Sequence, residues 1–119
     1  RLYSVFAEGG AELGVGPATL AAITAPVPDL GKDVVMGVPT YLALGFLRQG
    51  PDAALGLGPR AFGASGAGGS FAFADPDARL GYAYVMNKMD YHMIDDPREK
   101  ALRDAVYHAI AARGGGRQP

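Results

Sequence analysis

Three stretches hold residues whose types and spacing could do chemistry. The first is "FGASGAGGS", Phe62 to Ser70, in which every residue after Phe62 is Gly, Ala or Ser. Such a run suits a phosphate loop, a flexible linker, or a strand whose backbone must approach something closely. A phosphate loop needs Lys followed by Ser or Thr after its last glycine, so that ammonium and hydroxyl reach phosphate and magnesium. Here Phe71 follows Ser70, no G-x-G-x-x-G occurs in the segment, and Gly31-Lys32 is followed by Asp33. The phosphate-loop reading fails. The linker reading fails too, because strand-like residues flank the run with no polar buffer. A strand whose N–H groups face a ligand remains, since small side chains permit close approach. Tight packing under a helix is its equal on the residues alone.

The second stretch is "DYHMIDDP", with Asp90, His92, Asp95 and Asp96. A metal could be held there, but the spacing matches no metal-ligand pattern, and a loop ending in a helix cap explains it better. The third candidate is a nucleophile with its base. No Ser-x-x-Lys exists, because Asp29, Val85 and Pro97 stand three residues before the lysines. No G-x-S-x-G occurs either. Ser65 has no base nearby in sequence, and His92 or His108 could reach it only through folding. Tyr82 and Tyr84 could stack on a ligand, but core residues with hydroxyls at the rim are the simpler reading. His108 falls on a solvated flank.

The elements that must position these residues follow from pattern. The chain has 119 residues, enough for one domain, and a chain of that size buries roughly two-thirds of its unfolded surface. Eleven basic and twelve acidic residues give a net charge of −1. That balance offers no electrostatic reason for nucleic acid or an anionic membrane as partner. No apolar run approaches the roughly 20 residues that span a bilayer. Without cysteine there is no disulfide and no thiolate metal site, and the compartment stays undecided. No cofactor and no metal is called for.

Leu2, Val5 and Phe6 have helical spacing, ended by Gly9-Gly10. No cap precedes this helix, so the chain is expected to be part of a longer protein. Pro17 suits the first turn of a second helix that Pro26 stops. Residues 26–33 and 50–59 read as loops. Residues 33–49 are rich in β-formers and broken by Gly37 and Pro39, which predicts two strands with a bend. "FAFA", Phe71 to Ala74, leads through the Asp75-Pro76-Asp77 turn into "LGYAYVMNKM", Leu80 to Met89. In the latter, large side chains at 80, 82, 84 and 86 alternate with small ones, predicting a hairpin. The last helix is predicted to open on a capping box, with Asp96 as cap, Pro97 at the first position and Glu99 at the third. Its apolar stripe is Leu102, Ala105, Val106, Ala109 and Ile110. Residues 114–119 are expected to be a disordered tail. Strands in the middle and helices at both ends give an α+β class, with helices on one face of an antiparallel sheet.

"AFGASGAGGSFAFADPDARLGYAYVMNKM", Ala61 to Met89, closely resembles the C-terminal part of serine hydrolases with the β-lactamase/transpeptidase-like fold. These include class C β-lactamase-like esterases and penicillin-binding-type proteins. Many members read F-G-H-x-G-x-G-G-S, then F-A-D-P, then G-Y-V-M-N. The likeness extends back through "GVPTYLALGF" to "LYSVFAEGG", so residues 1–113 are similar to the back half of a member.

The resemblance implies three site motifs. A Ser-x-x-Lys and a Tyr-x-Asn are expected before Arg1, so no nucleophile falls within this chain. A strand motif, Lys-Thr-Gly or His-x-Gly, falls on Ala64, Ser65 and Gly66, and Ala67 then matches the position whose backbone N–H completes an oxyanion hole. Ala64 departs from the usual Lys or His, which removes a group that binds substrate and tunes protons, while the backbone donor survives. The implied activity is acyl-enzyme hydrolysis of an ester, with a β-lactam or peptide as the alternative, so the partner is a small-molecule ester or amide substrate. A non-catalytic binding or structural member is the rival that Ala64 favours. An independent small binding domain is a third reading. Lacking its first half, the sheet would leave strand 80–89 with an open edge. Such an edge would pair with the missing half or with a second copy.

Overall fold

A computed structural model describes residues 1–28, 30–51, 54–92 and 95–114. Its centre is a four-stranded antiparallel sheet in the order β1-β2-β3-β4, in which every neighbour in space is the neighbour in sequence. The strands are β1 (Leu47–Arg48), β2 (Phe62–Ser65), β3 (Phe71–Asp75) and β4 (Leu80–Tyr84). The helices are α1 (Leu2–Ala7), α2 (Pro17–Thr24) and α3 (Pro97–Gly114). A 3-10 turn at Ala11–Leu13 links the first two.

The sheet is covered on both faces, which corrects the expectation of helices on one face. The ladder pairs Phe62 with Ala74, and both pack against Phe6 and Ala7 of α1. Phe73 pairs with Gly63 and Tyr82 on the opposite face, where Tyr107 of α3 covers it. Period-two alternation sends the two sets to opposite sides. Burying rings such as Phe62 and Phe73 contributes about 1.5–3 kcal/mol each. At Gly81, on the α1 side, helix and strand approach closely. A Cβ at Gly81 would collide with the backbone N of Ser4 and stand 2.5 Å from its Cα. The helix therefore rests on bare strand backbone.

The β3–β4 hairpin matches its expectation, although the strand stops at Tyr84 rather than continuing to Met89. β4 is an outer strand of the sheet. The region 33–49 departs from the two strands expected. Only Leu47–Arg48 forms a strand, and isolated bridges join Lys32 to Pro39 and Leu42 to Leu47. The chain turns on itself here. Asp33 accepts from the N–H groups of Val35 and Met36 at 2.8 and 2.7 Å, and Gly37 and Gly45 have φ of +69° and +83°. Local turn bonds have replaced strand ladders.

In α3 the expected capping box forms on one side only. Asp96 Oδ1 accepts the N–H of Arg98 at 3.0 Å. Glu99 does not reach back; it lies buried and faces Arg103 Nε at 3.3 Å. The buried stripe is also not the apolar one. Glu99, Arg103 and Tyr107 are buried, while Leu102 and Ile110 are 53% and 37% exposed. α3 runs one residue past the expected end at Arg113. The rest of the tail, and residues 29, 52–53 and 93–94 of the expected loops, lie outside the described residues.

Candidate active site strand and its cavity

The ladder of β2 sets which backbone groups are used. Gly66 donates to the Ser70 carbonyl at 2.8 Å, toward β3, while Gln49 donates to the Ala61 carbonyl at 3.4 Å, toward β1. Antiparallel strands alternate the direction of their N–H and C=O groups. Gly63 and Ser65 therefore face the β1 side, while Ala67 lies past the strand end, in the turn that Gly69 closes by donating to the Gly66 carbonyl at 3.1 Å. β1 reaches only Phe62 and Gly63. Beyond it, Ser65 and Ala67 are exposed, and among the described residues their N–H groups have no acceptor. The strand expected from its small residues is present, with half of its outer edge open.

The turn after it is braced. Gly68 and Gly69 have φ of +92° and +109°, which only glycine adopts readily. Asp90 donates its N–H to the Gly68 carbonyl at 3.1 Å. A Cβ at Gly69 would stand 2.6 Å from Asp96 Oδ2. Asp96 is itself clamped by Arg98, whose Nε lies 2.9 Å from Oδ1.

The Arg98 guanidinium holds the Asp96 carboxyl down at about 2, and its own pKa is raised in return. Since the carboxyl is depressed in the fold, its contribution is complete above the unfolded value near 3.8 and is lost as pH falls toward 2. Acid titration followed by the amide signals of Gly68 and Gly69 should show the turn loosening across pH 4 to 2. Asp96→Asn should abolish that step while leaving the signals' dependence above pH 5 unchanged.

A cavity of about 420 Å³ opens on the side of the sheet that bears Ser65. This is within the range of roughly 300–1,000 Å³ common for small-molecule pockets. Ser65, Gly66 and Phe71 form one wall, Tyr41 and Leu55 another, and Arg103 and Glu99 of α3 close it. Burial pushes the Glu99 carboxyl up, opposed by the Arg103 charge. Tyr82, beside them, is pushed up to about 12, first by burial and then by the Glu99 charge.

One further buried carboxylate shapes this wall. Asp75 is 0% exposed. Its Oδ2 accepts from Tyr107 Oη at 2.6 Å and Gly58 N at 3.0 Å, and its Oδ1 accepts from Asp77 N at 3.0 Å and Ala78 N at 3.2 Å. A Cβ at Gly58 would collide with Asp75 Oδ1. The glycine-rich loop at 54–59 is thus tied down by close approach of Gly58 to a carboxylate. Burial, and then the bond to Asp75, raises the Tyr107 hydroxyl pKa.

Of the four residues expected at the site, Ser65 and Gly66 line the cavity; Ala64 and Ala67 are exposed and do not line it. Ala64 lies on the Phe62 face, across the sheet from Ser65. The acidic stretch at 90–96 divides among separate partners. Asp90 meets His92 at 3.5 Å, Asp95 meets Arg103 at 2.8 Å, and Asp96 meets Arg98. Sequence reasoning missed Asp75, Glu99, Arg103 and Tyr107 as builders of the site. The last three recur at i, i+4 and i+8, a helical period that was legible had polar residues been admitted to a buried face.

A family model described as Beta-lactamase matches residues 6–107. A search of curated proteins finds no match. Among solved structures, a family VIII carboxylesterase is 39% identical, with a TM-score of 0.79 over 89% of this chain. A novel penicillin-binding protein homolog from Caulobacter crescentus is 40% identical, with a TM-score of 0.81 over 91% of this chain. The chain spans 29% and 30% of the lengths of these two structures.

Proposed function

Because the chain belongs to the beta-lactamase family, we propose that it forms the oxyanion strand of a serine hydrolase that cleaves esters through an acyl-enzyme. The observation that carries this reading is that Ser65, at the end of β2, and Ala67, in the turn after it, are exposed with no N–H acceptor among the described residues, next to a cavity of about 420 Å³ that Ser65 and Gly66 line. An N–H without an acceptor at a strand edge can stabilise a developing oxyanion at little reorganisation cost. In the proposed reaction a serine on a segment preceding Arg1 attacks the ester carbonyl, and a lysine takes its proton. The carbonyl electrons move onto oxygen, facing the Ala67 N–H. They return as the alcohol leaves with a proton. Water then attacks the acyl-serine and releases the carboxylic acid. A β-lactam or peptide amide would follow the same path. No cofactor enters it.

The same reading has the preceding segment dock on the outer edge of β4, which pairs with no further strand among the described residues, and on the exposed Leu102 and Ile110 of α3. The intact protein, mixed with an activated short-chain ester, should carry one acyl group on a serine of a Ser-x-x-Lys before Arg1, read by peptide mass. The chain of 119 residues alone should show no turnover. Turnover by this chain that disappears in Ser65→Ala would falsify the assignment.

Ala64 favours a second reading, a family member that binds without catalysing. The two diverge on one substitution. If the site is attenuated, and the nucleophile of the preceding segment docks on the Phe62 face that Ala64 shares, Ala64→His in the intact protein should raise kcat/KM on a short-chain ester by about 10²-fold, the low end for a positioned acid–base group. Imidazole titrates near neutral pH and can serve either way. A folded variant with an intact Ser-x-x-Lys and no gain supports the binding reading.

A further inference from the structure

We propose that Arg103 is a positioning residue that sets the apolar wall of the cavity beside Ser65, and with it the acyl length the site accepts. The inference rests on the hydrolase reading above. Arg103 is 5% exposed, so its guanidinium works inside the protein. Nη1 donates to the carbonyl of Leu55 at 2.9 Å and to that of Ala54. Nη2 donates to Asp95 Oδ1 at 2.8 Å. Nε faces Glu99 Oε1 at 3.3 Å. The plane lies over the Phe71 ring, 5.1 Å from its centroid.

One rigid fork therefore fixes three pieces of cavity wall: the loop carrying Leu55, the entry to α3 at Asp95, and the ring of Phe71. Phe71 is the ladder partner of Ser65, so the ring's seat is also the seat of the site strand. Two carboxylates balance the cation, and its terminal nitrogens are occupied by wall segments. Arg103 organises the wall rather than receiving an anionic substrate. Lysine cannot replace it. A point charge on a flexible stem bonds without a fork and lacks the flat face that stacks on Phe71.

The test is Arg103→Lys in the intact protein, assayed with activated aryl esters bearing acyl chains of two, four and eight carbons. The effect should grow with chain length. Loss of the wall should lower kcat/KM on the eight-carbon ester by about tenfold, mostly through KM, the scale of a misfitted apolar pocket. The two-carbon ester should lose less than about twofold. Equal losses at all three lengths would mean a structural role alone and would overturn the proposal. Leu55→Ala provides a second variant that leaves Arg103 in place, and it should change the ranking of chain lengths. An unchanged ranking also counts against the wall. Binding of uncharged linear amides of the same lengths, read from the amide shifts of Ser65 and Gly66, needs no turnover. Affinity should rise with length in the parent, and this dependence should flatten in Arg103→Lys. No length dependence in the parent defeats the inference whatever the hydrolysis result. Absence of ester turnover with the length dependence intact defeats only the hydrolase reading.

Discussion

Replacing Ala67 with proline is expected to lower kcat of the intact protein on esters by about 10²–10³-fold, the cost of losing one oxyanion donor. Proline removes the N–H and nothing else of chemical use at an exposed position. Ala67 makes no backbone bond to another described residue, so no ladder is broken by the change. The control is Ala67→Gly, which keeps the N–H and should stay within a few-fold of the parent. KM should move little in either variant, because the donor acts on charge that develops after binding. Steady-state kinetics on one activated ester decides the matter. Equal activity for the proline and glycine variants would remove Ala67 from the mechanism.

Asp75→Ala should be the most destabilising single change on the side of the sheet facing α3. The carboxylate accepts four hydrogen bonds, and two of its donors, Gly58 N–H and Tyr107 O–H, are fully buried. Each buried donor left without a partner costs about 1–3 kcal/mol. A loss of about 3–5 kcal/mol is expected, with the loop at 54–59 released from the sheet. Tyr107→Phe removes one donor together with its need for a partner, so it should cost only about 1–2 kcal/mol. Denaturant unfolding of both variants, with unchanged slopes, measures the difference. An Asp75→Ala midpoint close to that of Tyr107→Phe would show that the loop finds other acceptors.

The parts legible in sequence are those whose cause is local. The β3–β4 hairpin follows from alternation around Asp75-Pro76-Asp77, and α2 from Pro17 at its start. The N-cap at Asp96 follows from a side chain that bonds the backbone two residues on. The strand at Phe62–Ser65 was legible as well from the run of small residues at 63–70, although the residues alone left tight packing under a helix as an equal explanation of that run. What sequence hid are decisions made by distant partners. Leu102, Val106 and Ile110 look like a core stripe, yet α3 turns Glu99, Arg103 and Tyr107 inward. Asp75, Phe71 and the Leu55 carbonyl wait there with complementary groups. Residues 33–49 look like strands by composition, but Asp33 and two glycines with positive φ fold them into turns. β-propensity describes a half-buried pleated surface, and no such surface is offered to them.

The close seat of α1 on Gly81 has a bearing on the order in which the molecule assembles. α1 is six residues long, well below the roughly 12–15 at which a helix persists alone in water. Its surroundings come from far along the chain; the ion pair between Glu8 and Arg79 spans 71 residues. The β3–β4 hairpin, in contrast, closes over a short turn and can form in microseconds. Closing a loop of some seventy residues costs chain entropy before any contact rewards it. Within residues 1–119, α1 is thus made before the hairpin that covers it and is buried after that hairpin has closed. Until Gly81 offers its bare backbone, α1 lacks the surface on which Ser4 sits.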